Sequence, residues 1–314
     1  KKLMSWLLKF EGVAFHFEVV GDLLTNDLLD FLETVPKGMF QFELGVQTTD
    51  HSSQEKIKRK QNNKKLFSAI ERLISSNLIH IHCDLIFGLP GETLDDVLKS
   101  FEEVCMLQPH ELQLGFLKFL PGAPIKNIIS DYGYKYQSTP PYEFISNNDL
   151  SASQLNYLKK FEEVFDIFYN SKRFRFTVQR LLKKLPAVKI FNSLLEHMES
   201  NNLFNQPHSL NAQYKIIHDT FTLNKDPTAL DILRLDYLYA QRVYRLPQFL
   251  EIDGARQKTW SGDKKTPLVP FLHTIQINKG NAEIKPAASL QFCAVVHAVE
   301  SSGYLSPPSL NWVS

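Results

Sequence analysis

A chain of 314 residues that is 43% hydrophobic, 22% charged and 12% aromatic holds enough apolar material for one large globular domain or two ordinary ones, which excludes wholesale disorder. Its formal net charge of +1 sets up no global field toward nucleic acid or an anionic membrane. No apolar run reaches the roughly 18 residues that a membrane-spanning helix needs, so no membrane segment is expected.

The first ten residues, Lys1 to Phe10, read as the end of an amphipathic helix, without a signal peptide's cleavage pattern and without an initial Met. The expectation is a chain cut within a larger protein. Cys83, Cys105 and Cys293 are an odd, sparse set that argues against a disulfide scaffold and for a reducing cytoplasm. Their spacing forbids a compact metal-binding loop, and small buried hydrophobes are expected at all three.

The pattern then alternates strand and helix. Strands are predicted at 13–20, 40–46, 79–87 and 111–119, and helices at 26–34, 64–76 and 93–107. That rhythm implies an α/β fold with a parallel sheet and right-handed crossovers, a partial (β/α) barrel over 1–125. A linker with Pro140-Pro141 follows over 126–150. A mainly α-helical domain is predicted over 151–250, with helices at 151–170, 174–184, 187–200 and 228–244. Residues 251–314 are expected to be an irregular tail, with few charges and several prolines from about Thr266.

Successive strand side chains point to opposite faces. His16 and Glu18 therefore share a face in the first strand, and Gln41, Glu43, Gly45 and Gln47 share one in the second. His80, His82 and Asp84 share one in the third, and Gln113 and Gly115 in the fourth. Each set opposes Phe, Leu, Ile, Val or Cys. Burying so many polar groups without partners costs roughly 1–3 kcal/mol each, so a lumen that holds a polar ligand is favoured over a sheet with one wet face. His80, His82 and Asp84 also form a two-histidine, one-carboxylate set that suits a metal, though lining of the lumen is favoured.

Asp84-Leu85-Ile86-Phe87-Gly88-Leu89-Pro90-Gly91-Glu92-Thr93 ends a strand in a Gly-Pro-Gly turn and opens a helix at Thr93. Together with Phe42-Glu43-Leu44-Gly45-Val46-Gln47-Thr48 and with the stretch from Leu114 to Pro124, it resembles the radical S-adenosylmethionine superfamily. The resemblance runs from about residue 12 to 125. It is closest to the cobalamin-binding branch that includes the anaerobic magnesium-protoporphyrin IX monomethyl ester oxidative cyclase. Residues 141–250 resemble the C-terminal domain attached to many such proteins.

The resemblance implies a barrel that binds S-adenosylmethionine beside a [4Fe-4S] cluster and generates a 5′-deoxyadenosyl radical to attack an organic substrate, by cyclisation or methyl transfer. By likeness to the anaerobic coproporphyrinogen oxidases, Glu18, Gln47, Arg59 and Asp84 are the positions that would hold S-adenosylmethionine. Asp84 and Glu18 would accept from hydroxyl or ammonium groups. Arg59 would pair with the methionine carboxylate, and Gly45 and Gly88 would admit the ligand close to the backbone. The cluster's CxxxCxxC motif is absent, as is any cobalamin-binding Asp-x-His-x-x-Gly string. The chain alone is therefore expected to be inert, its partner being the missing N-terminal half of its parent and its substrate a small molecule. Two other functions stay open: an RNA-modifying enzyme and a non-catalytic interaction module. The basic runs Lys56-Ile57-Lys58-Arg59-Lys60 and Lys172-Arg173-Phe174-Arg175-Phe176 are read as a solvated helix start and an amphipathic helix, so nucleic acid is not the expected partner.

Overall fold

The computed structural model describes residues 1–204, 206–240, 246–252, 258–259, 267–278, 281–296 and 309–313. The chain divides into two compact units, Lys1–Glu163 with Pro186–Val188, and Val164–Leu185 with Lys189–Ser314.

The first unit is built on a four-stranded parallel sheet in the sequential order β1 (Phe15–Glu18), β2 (Phe40–Gln47), β3 (His80–Phe87), β4 (Glu111–Phe116). Helices α1 (Lys2–Leu7), α2 (Asn26–Leu32), α3 (His51–Lys56), α4 (Asn63–Ser76) and α5 (Leu94–Met106) precede or connect the strands. The α/β class read from the sequence is therefore what the structure shows. Helix starts follow capping chemistry. Thr25, Asp50, Asn62 and Thr93 each accept a first-turn N–H, and Thr93 with Asp96 forms a reciprocal capping box. The predicted first strand, 13–20, contracts to four residues. The fourth ends at Phe116, after which Leu117 and Phe119 hydrogen-bond outside the strand ladder.

Burial alternates strictly along β2 and β3, with Phe40, Phe42, Leu44, Val46, Ile81, Cys83, Leu85 and Phe87 buried. The helices lie on that face. Leu66, Ile70 and Leu73 of α4 and Val97, Phe101 and Val104 of α5 complete the core. Phe17 packs edge-on to both Phe40 and Phe42. A short antiparallel pair, β5 (Lys135–Tyr136) and β6 (Phe144–Ser146), follows, and helix α6 (Ala152–Phe165) begins in this unit.

The second unit contains α7 (Arg175–Leu182), most of α8 (Ala187–Ser200), α9 (Leu210–Thr220) and α10 (Pro227–Ala240). Helix α9 was not anticipated, and 241–245 of the expected last helix lie outside the described residues. The larger difference is the tail. In place of irregular chain, β7 (Lys258–Thr259), β8 (Pro267–Asn278), β9 (Asn281–Val296) and β10 (Ser309–Val313) form an antiparallel sheet in the order β10-β9-β8-β7. Proline has no N–H to give a ladder, and Pro267, Pro270 and Pro286 disguise these runs. The β8–β9 register shifts between Phe271 and His273, close to Pro270. No helix among the described residues is long and apolar enough to cross a membrane.

The sheet is tied to α10 by a buried charge cluster. Asp231 Oδ1 takes Arg234 Nη1 at 2.5 Å. Asp231 Oδ2 accepts the N–H groups of Leu272 and His273 at 2.7 and 2.8 Å and faces His273 Nδ1 at 2.9 Å. Arg234 also donates to the carbonyls of Leu250 and Glu251. Both side chains are essentially inaccessible. Removing one partner of a buried pair costs about 3–5 kcal/mol, because the other charge is left uncompensated. Asp231→Ala is therefore expected to lower the unfolding free energy by about that amount in urea titration; an unchanged midpoint would contradict the role given to the cluster.

Candidate functional site

On the face opposite the helices, His16, Glu18, Gln41, Glu43, Gly45, Gln47, His80, His82, Asp84, Glu111, Gln113 and Gly115 fall at alternate positions of the four strands. The register sets His16 beside Gln41, Glu18 beside Glu43, Glu43 beside His82, Gly45 beside Asp84 and His82 beside Glu111. Several ion pairs cross the strands: His16 Nε2 to Glu43 Oε2 at 3.0 Å, His80 Nε2 to Glu111 Oε1 at 3.4 Å, and His82 Nδ1 to Glu111 Oε2 at 3.8 Å. The polar stripe that alternation requires is thus present and largely self-paired toward the N-terminal ends of the strands.

Toward the C-terminal ends the pairing is incomplete. Open α/β sheets bind ligands at these ends. Gly45 is the hub. Its carbonyl accepts from Arg59 Nη2, and Arg59 Nε donates to Gln61 Oε1 at 2.9 Å. Burial pulls the Arg59 guanidinium below its ordinary value, with Asp22 acting in the opposite direction. Gln47 has a left-handed φ of 67°, where the β2–β3 register shifts, and its side chain folds back over Gly45. A Cβ at Gly45 would meet Gln47 Nε2 at 2.5 Å and lie 3.9 Å from Arg59 Nη2. Gln47 Oε1 and Asp84 Oδ1 are buried without a hydrogen-bond partner. Asp84, Gly45, Gln47 and Arg59 therefore converge. Glu18 shares their face but sits exposed on the edge strand, two strands from Asp84.

Gly88 has a φ of 90°, which glycine adopts freely. The Phe144 ring of β6 fills the space a Cβ would take there, and Tyr134 Oη donates to the Gly88 carbonyl at 2.8 Å. The glycine is required by the chain's own packing at that point, a demand that the strand-turn-helix string did not reveal. Gly91, φ 77°, is likewise pressed by the Lys56 side chain, whose amine lies 5.8 Å from the Tyr132 ring centre.

A second feature escaped the sequence reading. The buried carboxyl of Glu92 accepts from Thr48 Oγ1, while Ser100 Oγ lies 3.3 Å from Thr48 Oγ1 and 3.1 Å from Thr49 Oγ1 and takes the Thr49 N–H at 3.1 Å. The loop after β2 is thereby fastened to the loop after β3 and to α5. Burial pushes Glu92 up to about 8, and Glu92 Oε2 has no partner.

Other expected roles are limited by the geometry. Among the described residues, no group of His, Cys, Asp and Glu is arranged to hold a metal, His80, His82 and Asp84 included. All three cysteines are buried, and burial pushes the thiols of Cys83 and Cys105 up, away from the thiolate a cluster needs. An iron–sulfur cluster does not fit the described residues of this chain. In the basic-aromatic run, Phe174 and Phe176 are buried and Arg173 is bonded to Gln213, so no stacking platform is offered.

Residues 2–104 match the model of the radical SAM superfamily, and residues 130–267 match a family described as Protein of unknown function (DUF4080). Similar proteins include the heme chaperone HemW of Buchnera aphidicola subsp. Acyrthosiphon pisum, 29% identical over 51% of this chain and 40% of its own length. The heme chaperone HemW of Bacillus subtilis is 30% identical over 37% of this chain and 30% of its own length. The oxygen-independent coproporphyrinogen III oxidase of Pseudomonas aeruginosa is 32% identical over 27% of this chain and 18% of its own length. The chain thus spans 40% or less of the length of these relatives. Among solved structures, coproporphyrinogen III oxidase (HemN) from Escherichia coli aligns with 43% of this chain and 38% of its own, at 20% identity and a TM-score of 0.34. These relatives are of the heme-chaperone and coproporphyrinogen-oxidase type, and the expected cobalamin branch and oxidative cyclase find no support in them.

The raised Glu92 value carries a pH dependence. The folded value lies above the ordinary carboxyl value, so folding favours the neutral form. That contribution is whole below the ordinary value and is lost as pH rises through about 8. Glu92→Gln, neutral at every pH, should flatten the fall in thermal stability between the ordinary carboxyl value and about pH 8. A fall as steep as wild type would show that Glu92 does not titrate there.

Proposed function

We propose that this chain, whose residues 2–104 match the model of the radical SAM superfamily, holds S-adenosylmethionine at the C-terminal ends of β2 and β3. The observation that carries this reading is the convergence on Gly45 of the buried, unpartnered acceptor Gln47 Oε1 and of the Asp84 carboxylate, whose buried Oδ1 lies 3.1 Å from an unaligned His82 Nε2. An open amide oxygen and a carboxylate beside a glycine suit a ligand rich in hydroxyl and ammonium donors. Asp84 and Gln47 would accept from those donors. Arg59 would turn from the Gly45 carbonyl to the ligand's carboxylate, which its fork matches. Glu18, on the same face and open to solvent, would close the far side. The Gln47 amide is the far end of a flexible side chain, so it can yield the space over Gly45.

Bound S-adenosylmethionine supplies radical chemistry once it is reductively cleaved, and the cluster for that cleavage comes from polypeptide outside these residues. The outer edge of β1, flanked by exposed Val13, Val20 and Leu23, suits a further parallel strand carrying those ligands. The substrate is a small organic molecule; heme and coproporphyrinogen III, named for the relatives, are the first to test. Three buried free cysteines suit a reducing cytoplasm.

Isothermal titration of the purified chain with S-adenosylmethionine tests the site. Wild type should bind, and Asp84→Asn, which replaces an acceptor oxygen by a donor, should weaken binding about tenfold or more. No heat from wild type, together with no shift in its unfolding temperature, would overturn the assignment.

A further inference from the structure

We infer that His82 is a positioning residue for Asp84, its imidazolium clamping one carboxylate oxygen so that the other is presented to the ligand at Gly45. The inference rests on the S-adenosylmethionine reading only for the identity of that ligand.

His82 Nε2 and Asp84 Oδ1 stand 3.1 Å apart, within ion-pair range yet out of line for a hydrogen bond. Both atoms are buried, and neither has any other hydrogen-bond partner. The two side chains are only 21% and 18% exposed. A small rotation about either side chain satisfies both atoms at once. The second imidazole nitrogen, Nδ1, faces Glu111 Oε2 at 3.8 Å. A neutral imidazole has a single N–H and can serve one of these carboxylates, whereas an imidazolium has two and can serve both.

The groups around His82 favour the charged ring. Asp84 and His80 share its strand, Glu111 faces it from β4, and Glu43 faces it from β2 with His16 behind. Arg59 lies beyond Gly45, on the side of Asp84. His82 is raised above its ordinary value, chiefly by Asp84 and further by Glu111 and Glu43, against the opposing effect of burial. The clamp is therefore complete below the His82 titration and half released above it. Ligand affinity should fall as pH rises through that point.

Two measurements on the chain separate this from a purely structural role. Side-chain nitrogen NMR should show His82 titrating above ordinary histidine in wild type, and the titration should move down in Asp84→Asn. Titration with S-adenosylmethionine across neutral to alkaline pH should show affinity dropping about tenfold in step with His82. His82→Gln keeps an uncharged donor near Asp84 and should bind with no pH dependence over that range. His82→Leu should be about tenfold weaker throughout. A His82 titration unmoved by Asp84→Asn, or a pH profile of His82→Gln identical to wild type, overturns the inference. If wild type binds no S-adenosylmethionine at any pH while the NMR coupling is intact, the clamp is supported and the ligand assignment of the preceding subsection is what fails.

Discussion

A parallel strand gives one side chain to each face in turn, and everything in the first unit depends on how that alternation is spent. In β2 and β3 every residue assigned to the helix side is apolar and buried, so these strands give the core Phe40, Phe42, Leu44, Val46, Ile81, Cys83, Leu85 and Phe87. The other face is then free of the duty to stabilise the fold. It carries carboxylates, imidazoles and amides at positions where a one-residue slip would drive them into the core. The register is thus enforced by the apolar side, and the polar side inherits exact neighbours: Glu43 beside His82, and Gly45 beside Asp84.

From that inheritance the site follows in two steps. Pairs across strands satisfy the N-terminal part of the stripe, as His16 with Glu43 and His80 with Glu111 show. At the C-terminal ends the chain turns away into loops, and cross-strand partners run out. Gln47 leaves the β region, Arg59 arrives from the loop after α3, Gln47 Oε1 stays empty, and Asp84 Oδ1 has an unaligned imidazole beside it. Each unpaired buried polar atom costs about 1–3 kcal/mol, so such a set persists only where something else secures the loops. The Thr48–Glu92–Ser100 contacts and the packing of Phe144 on Gly88 provide that security.

Local chemistry was legible in the sequence, and long-range packing was not. Period-two alternation from Phe40 to Gln47 and from His80 to Phe87 announced both the strands and the polar face. Thr93 after the Gly-Pro-Gly turn announced a helix start. Glu92 carried no signal of its own, because its burial goes with Thr48 and Ser100, more than forty residues before it and eight after it. Gly88 read as room for a ligand, since nothing nearby in sequence foretold Phe144. The tail was misread because prolines inside β8 and β9 break the strand signal. Asp231 gave no hint that it would receive the backbone of a strand forty residues later.

The second unit shows by contrast why the strand ends are the better place to look for chemistry. Asp231 is as buried as any group in the chain, yet both of its oxygens are taken, and Asp236 divides its two between the N–H groups of Phe176 and Thr177 at the start of α7. Where atoms there lack partners, as in Arg180 Nε and His218 Nε2, the same side chains are already tied to Asp226 and Asp219. Carboxylates used in this way serve the fold, since any ligand would have to break bonds that the native state needs. Asp84 is different in kind. Its buried oxygen lies 3.1 Å from an imidazole nitrogen that is itself unaligned, so the pair can reorganise toward a ligand without dismantling a helix cap or a sheet. A carboxylate that the fold positions but does not consume is the one with an interaction left to give.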